Sequence, residues 1–357
     1  MKGIVLAGGT GSRLRPITHT GPKQLVPVAN KAVLQYCIED LREAGITEIG
    51  VILGEIGREE IQAFLGDGSN LDVEITYIIQ GSPLGLAHAA GCAEEFVGDD
   101  DFVMYLGDNI LKQGIEEFVK SFESGNFDAG IALQHVDNPH QFGIASVDEN
   151  GTVKELVEKP DEPPSDLALI GIYVFSPKVF DAIARLEPSW RGELEITDAI
   201  QSLIDDGCSI DSHVVEGWWK DTGRPEDILD ANRLVLESKP GSREGTVESN
   251  ADVTGHVDLA ETASIKAGAV VRGPVSIDAN TVISAGTYIG PYTSIGRDCT
   301  ITRTHVENSV VIGKSEITSG GRIVDSLIGR GAQVGSADDD LPEGRRLVIG
   351  ENSKLKL

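Results

Sequence analysis

Hydrophobic residues change their spacing along this chain, and the changes mark its parts. The run Ile4-Val5-Leu6-Ala7 predicts a short buried strand just inside the N-terminus. Lys31–Ala44 carries apolar residues at helical spacing and stops at Gly45. Strands are then expected at Ile49–Leu53, Val73–Ile79 and Phe102–Leu106, alternating with helices at Arg58–Leu65 and Gly85–Phe96. That alternation predicts an α/β fold with a mixed, mostly parallel sheet covered by helices. Ligands of such sheets bind at the carboxyl ends of the strands. From Ala129 to Ser176 the texture is β-rich. A helix is expected after Pro177, another within Gly192–Gly207 entered through Glu193 to Asp198, and a last one at Pro225–Glu237. Between these helices, SHVVEGWWKDTG reads as a strand running into a loop, and Leu236–Thr246, polar with Pro and Gly, reads as a linker.

Beyond the linker the period changes completely. Val253, Leu259, Ile265, Val271, Ile277, Ile283, Ile289, Ile295 and Ile301 recur every six residues. Neither a helix nor a flat strand pair explains that step; a β-solenoid does, with aliphatic residues stacking coil upon coil. Ile312, Ile317, Ile323, Ile328 and Val334 continue with the register slipped by a residue or so, as a capping turn or loop would cause. The expected domains are therefore residues 1–238, a linker at 239–250, and a repeat domain with a C-terminal tail at 251–357.

A chain of 357 residues has room for both. Its 57 acidic against 30 basic residues give a net charge of −27, a field that repels nucleic acid and anionic membrane. A surface so rich in carboxylates fits a salt-rich cytoplasm, where screening blunts their repulsion, so a halophilic source is expected. Cys37, Cys92, Cys208 and Cys299 are scattered without a C-x-x-C pair, as free thiols of a reducing compartment are. No signal-peptide stretch opens the chain and no apolar run reaches membrane-span length. A soluble cytoplasmic protein is expected.

Against this acidic background the cations near the N-terminus stand out. Gly8-Gly9-Thr10-Gly11 ends the first strand, and Arg13, Arg15 and Lys23 follow closely. Glycines allow a ligand close to the backbone, and cations neutralise an anion; together they predict a phosphate-holding loop. The loop is not a P-loop, since no Gly-Lys-Ser follows. Nor is it the dinucleotide fingerprint, whose third glycine is Leu14 here.

GGTGSRLRP followed by GPKQLVPV resembles the signature of the sugar-1-phosphate nucleotidylyltransferases, most closely their long-form thymidylyltransferase branch. The resemblance implies a Rossmann-like nucleotidyltransferase domain, with the repeats forming a C-terminal left-handed parallel β-helix. It implies a Mg²⁺-dependent attack by glucose-1-phosphate on the α-phosphorus of dTTP, or alternatively UTP, releasing pyrophosphate. Arg13 and Lys23 would meet the triphosphate, with Arg15 assisting, and Leu6, Gly8, Gly9 and Gly11 would line the nucleotide. Gln80, Pro83 and Gly85 would serve the base, in a segment where Leu84 replaces the aspartate frequent in the family. Asp108 of LGDN would contact nucleotide and metal, and Asp221 of WWKDTG would be the second metal ligand. Lys159 of VEKP would hold the sugar phosphate and Glu158 the hexose hydroxyls, with Gly143, Gly171 and Tyr173 lining the sugar.

Around these, Glu195, Thr197 and Asp198 border the sugar site or cap a helix, and Trp218 and Trp219 read as core. The resemblance also implies a homo-oligomer and a product used for deoxysugars such as dTDP-rhamnose in surface glycans. Two readings of other classes stand beside it. A non-catalytic regulatory subunit would have lost the charged set, which is intact here. A hexapeptide acyltransferase would need a histidine, for which His256 and His305 lack recognisable context.

Overall fold

The computed structural model describes residues 1–125, 127–149 and 151–335; the expected C-terminal tail lies outside them. The chain divides into two compact units. One is Met1–Thr10 with Val33–Asp221, the other Gly11–Ala32 with the residues from Thr222 on.

In the first unit Lys2–Leu6 lies between Phe102–Leu106 and Glu48–Leu53, parallel to both. Glu48–Leu53 pairs in parallel with Glu74–Ile79. Ile4, Val5, Val51 and Ile52 are fully buried, because a parallel strand covered by helices on both faces needs apolar residues on both. The far edge of Phe102–Leu106 pairs antiparallel with Leu167–Phe175, which is buried at every residue. The sheet continues antiparallel through Gly143–Val147 to Val153–Glu158, while Ala129–His135 and Ile210–Val214 pair alongside. The expected mixed, mostly parallel α/β sheet is therefore present.

Three local differences have physical causes. The expected helix over Gly85–Phe96 is two, Leu86–Gly91 and Glu94–Val97, broken where a glycine disfavours helix interior. The first long helix begins at Val33, since Lys31–Ala32 pairs with Pro27–Val28 in a hairpin. A strand at Asn109–Leu111 and a helix at Glu116–Ser124 were not anticipated; the helix buries Phe118, Val119 and Phe122 on one face.

In the second unit the repeats stack, among the described residues, into three parallel sheets, as in a left-handed parallel β-helix. Ile265 pairs with Ile283, and Ile283 with Ile301. These three are fully buried. After Ile301 the step shortens: Val306 and Val311 pair with Ile289 and Ile295, so Val311, rather than Ile312, continues the stack. Thr246–Val247 already pairs with Ser264–Ile265, so coil formation starts within the stretch that reads as a linker. Pro225–Ser238 forms the helix entered through Pro225, with Ile228, Ala231, Asn232, Val235 and Leu236 buried.

Candidate active site

Four parallel strands of the first unit deliver their carboxyl ends side by side. Leu6 is in register with Leu106 and with Ile52, and Leu53 with Ile79. Gly8, Gly107-Asp108 and Gln80 are the residues that follow those ends. Gly107 donates its N–H to Leu6 O at 3.0 Å, which holds the turn into Asp108 against the first strand. A Cβ on Gly8 would stand 3.3 Å from Gln80 Oε1 and 3.1 Å from the backbone nitrogen of Gly54, so glycine is what lets these strand ends close up.

Gln80 is buried and its amide is held: Nε2 donates to Gly85 O at 3.3 Å and lies 3.1 Å from His88 Nδ1. Gly85 has φ +110°, and a Cβ there would stand 2.3 Å from Leu194 O. No other residue fits. Leu194 N donates back to Leu84 O at 2.7 Å, tying Gln80–Leu86 to the segment Ser189–Glu195. Pro83 is exposed on the outside of this turn.

One acidic candidate lies across a short ladder from the sequence neighbour of the other. Asp221 is in register with Asn109, the residue after Asp108, on the antiparallel pair Trp219–Asp221 and Asn109–Leu111. Asn109 is 2% exposed; Nδ2 donates to Ile170 O at 2.8 Å, and Oδ1 accepts from Trp219 Nε1 at 3.2 Å. Burial first, then the charges of Asp40 and Asp108, push the Cys37 thiol up, so Cys37 is an inert core group. Gly171 has φ +79° beside Asn109, whose Nδ2 would lie 2.6 Å from a Cβ there. Trp219, expected as core, is half-buried and works as a brace: its indole reaches Asn109 and its ring packs edge-on to Phe142 at 5.5 Å.

Phe142 leads to the sugar-side candidates. Lys159 N donates to Phe142 O at 3.0 Å, and Lys159 turns at φ +44°. Lys159 Nζ lies 3.0 Å from Glu158 Oε1. Glu158 is in register with Gly143, where a Cβ would collide with Thr197 Cγ2 at 2.7 Å and lie 3.1 Å from Glu158 Oε2. Arg191 Nη1 reaches Glu158 Oε1 at 3.4 Å and Glu195 Oε1 at 3.2 Å, and Ser189 Oγ donates to Glu195 at 2.8 Å. Burial raises the Glu195 carboxyl above the usual range, against the pull of Ser189 and Arg191. Tyr173 departs from expectation: it is 3% exposed and stacked on Phe175 at 5.7 Å. Burial, then the charge of Glu158, pushes its phenol up. It is a core residue within the field of Glu158, on a strand buried at every residue.

In the second unit, Gly11 stands at φ +62°, where a Cβ would lie 2.9 Å from Lys23 Cβ and 3.0 Å from Thr18 Cγ2. Thr18 Oγ1 donates to Gly11 O at 2.6 Å. Leu14 is fully buried between the exposed Arg13 and Arg15, an anchor that leaves both guanidiniums outward. The structure thus gathers Gly8, Gln80, Gly85, Asp108, Gly143, Glu158, Lys159, Gly171 and Asp221 within the first unit, and Gly11, Arg13 and Lys23 within the second. Asn109 and Arg191 were missed. The signals were present: Asn109 follows Asp108 in LGDN, and Arg191 is a lone cation heading the acidic run GELEITD.

Glycines, a buried amide and a carboxylate, Asp108, following neighbouring parallel strand ends are the features of a nucleotide-handling α/β enzyme. The chain belongs to the nucleotidyl transferase family, whose model matches residues 2–238; residues 271–339 match the GMPPB C-terminal domain. It is 73% identical over 357 residues to the low-salt glycan biosynthesis nucleotidyltransferase Agl11 of Haloferax volcanii, covering 100% of both chains. It is 49% identical to the glucose-1-phosphate thymidylyltransferase of Streptomyces antibioticus, covering 100% of this chain and 99% of that one. A crystal structure of a Bacillus anthracis protein assigned as a glucose-1-phosphate thymidylyltransferase, in complex with sucrose, superposes with a TM-score of 0.64 at 40% identity, over 68% of this chain and 98% of that one. The activity at this level is nucleotidyl transfer to a sugar-1-phosphate.

Proposed function

We propose that the chain transfers a thymidylyl group from dTTP to α-D-glucose-1-phosphate, giving dTDP-glucose and pyrophosphate. The observation that carries this reading is the end-to-end likeness to the Streptomyces enzyme. An ionised phosphate oxygen of the sugar phosphate attacks the α-phosphorus. The bond from that phosphorus to the bridging oxygen breaks, and pyrophosphate leaves with the electron pair. No general base is needed. Both reactants are anions, so charge neutralisation and in-line placement carry the catalysis.

Arg13 and Lys23 neutralise the triphosphate in this reading, with Arg15 assisting, and Lys159 holds the sugar phosphate. Glu158 accepts from hexose hydroxyls, its carboxylate steadied by Arg191. Leu6, Gly8, Gly9, Gly11, Pro83 and Gly85 shape the nucleotide side and Gly143 and Gly171 the sugar side. Gln80, fixed by Gly85 and His88, meets the pyrimidine edge. Asp108 and Asp221 fit Mg²⁺, which takes one or two carboxylates and completes its shell with phosphate oxygens and water. Among the described residues no cluster of three or more candidate ligands competes with this pair. When bound, the ion supplies positive charge to the phosphate oxygens.

Residues 1–238 carry the reaction in this reading. The repeats from 251 on act as scaffold and homo-oligomer interface, in a salt-rich cytoplasm where the product feeds deoxysugar synthesis. A monomer by light scattering in about 1 M KCl contradicts the assembly. Pyrophosphate release with dTTP, UTP, ATP and GTP tests the activity. Turnover with dTTP is expected; preference for UTP selects the uridylyl alternative, and activity with a purine nucleotide alone overturns the proposal.

A further inference from the structure

The phosphate-loop segment and the repeats belong to one compact unit, and the bonds joining them converge on one turn. Pro27–Val28 and Lys31–Ala32 form a two-residue hairpin with Ala29 at φ 48° and Asn30 at φ 63°. Two positive-φ residues define the turn type that matches strand twist, and asparagine tolerates that conformation far better than alanine does. Asn30 Nδ2 donates to Ser276 Oγ at 2.9 Å and to Ile295 O at 3.1 Å, both on the repeats. Asn232, fully buried on the helix before the repeats, accepts the Ala29 N–H at Oδ1 over 2.9 Å. The same oxygen accepts from Ser294 Oγ at 2.6 Å, and Nδ2 donates to Tyr292 O at 2.9 Å. Ser276 and Ser294 are themselves buried. A second touch lies further up the segment, where Ile17 Cδ1 is 3.5 Å from the position of a Cβ on Gly329.

A hairpin that only closed a chain reversal would need none of these contacts. We propose that the repeats act as a mould for the triphosphate loop, with Asn30 and Asn232 as its positioning residues. The segment Gly11–Lys23, folded locally by its own short turns, is then fixed in place at its downstream end, where Ala29 and Asn30 are tied to Asn232 and to the second and third coils of the repeats. This rests on the reading that Arg13 and Lys23 meet the triphosphate. Positioning matters here because small displacements of groups that neutralise charge cost disproportionately in rate. The repeats thereby gain a part in nucleotide affinity beyond assembly.

Asn30→Gly is the clean probe, since glycine accepts the positive φ while losing the side-chain bonds. Ser276→Ala removes one of the two acceptors on the repeat side. Pyrophosphate release by the full chain, with dTTP and glucose-1-phosphate varied in turn, gives both KM values and kcat, and thermal melting reports stability. Ser276→Ala, which removes one hydrogen bond, is expected to raise the KM for dTTP by about three- to tenfold, and Asn30→Gly, which removes two, by at least as much. The KM for glucose-1-phosphate and the melting temperature should stay close to the parent, and the double variant should cost less than the product of the singles. An unchanged KM for dTTP overturns the inference, as does a joint shift of both KM values with the melting temperature. Lys23→Ala separates the two readings. If it leaves dTTP kinetics intact, the loop assignment itself falls; if it cripples them while Asn30→Gly is inert, only the mould falls.

Discussion

In the repeats one kind of residue does one job at one interval. Ile265, Ile283 and Ile301 stack directly on one another, fully buried, and each coil asks the same of its sequence. At the strand ends of the first unit almost nothing is repeated. Gly85 and Gly171 stand at positive φ under different neighbours, Lys159 turns at φ +44°, and Asn109 is a buried polar group satisfied from two directions. The repeats draw their stability from many equivalent contacts, so losing one stacked aliphatic side chain costs energy and leaves chemistry alone. The strand ends depend on single residues held by unlike partners, so one change there should cost function before stability.

The largest effects should fall at the charged candidates. Asp108→Ala and Lys23→Ala should each lower kcat by about 10²–10³, as loss of a main charge-stabilising group does, with melting nearly unchanged; steady-state pyrophosphate release measures the first and calorimetry the second. Full activity in Asp108→Ala would revive the non-catalytic alternative. In the repeats the pattern should invert. Ile283→Ala leaves a cavity in the stack and should cost about 2–5 kcal/mol of stability, read by denaturant melts, while kcat at a temperature where the chain stays folded is retained. If kcat fell with it, the contrast between the regions would fail.

Gly85→Ala should lie between these extremes. Its Cβ would press on Leu194 O at an unfavourable φ, for about 1–3 kcal/mol of strain, and the raised KM for the nucleotide should exceed any change in the KM for the sugar phosphate. Glu195→Gln should give the smallest effect. The Glu195 carboxyl is raised by burial, so its contribution to stability is whole below the usual glutamate range and fades as pH rises through the raised value. Replacing it should flatten that part of the curve of melting temperature against pH. An unaltered curve would mean that the carboxyl is as well solvated folded as unfolded.

The same contrast explains what could be read from the chain. The six-residue step is a local pattern, so the solenoid and most of its stack were legible from Val253 to Ile301; the slip after Ile301 was legible as well, but the residue that takes the stacked place, Val311 rather than Ile312, was not, because two adjacent aliphatic residues leave the corner length open. The alternation of strands and helices announced the sheet, and the stretch GGTGSRLRP announced the family. Asn109 and Arg191 escaped because their roles come from partners far along the chain, Ile170 and Trp219 for one, Glu158 and Glu195 for the other. Tyr173 was misjudged. Its burial comes from a strand buried at every residue and from stacking on Phe175, neither of which a short motif reveals.

The central claim is a direct transfer in which the sugar phosphate attacks the α-phosphorus of dTTP. Glucose-1-phosphate carrying ¹⁸O throughout its phosphate, incubated with dTTP, Mg²⁺ and the full chain, tests it by mass spectrometry of both products. All of the label should appear in dTDP-glucose and none in pyrophosphate. Label in the pyrophosphate, or the absence of a labelled nucleotide sugar, would contradict it.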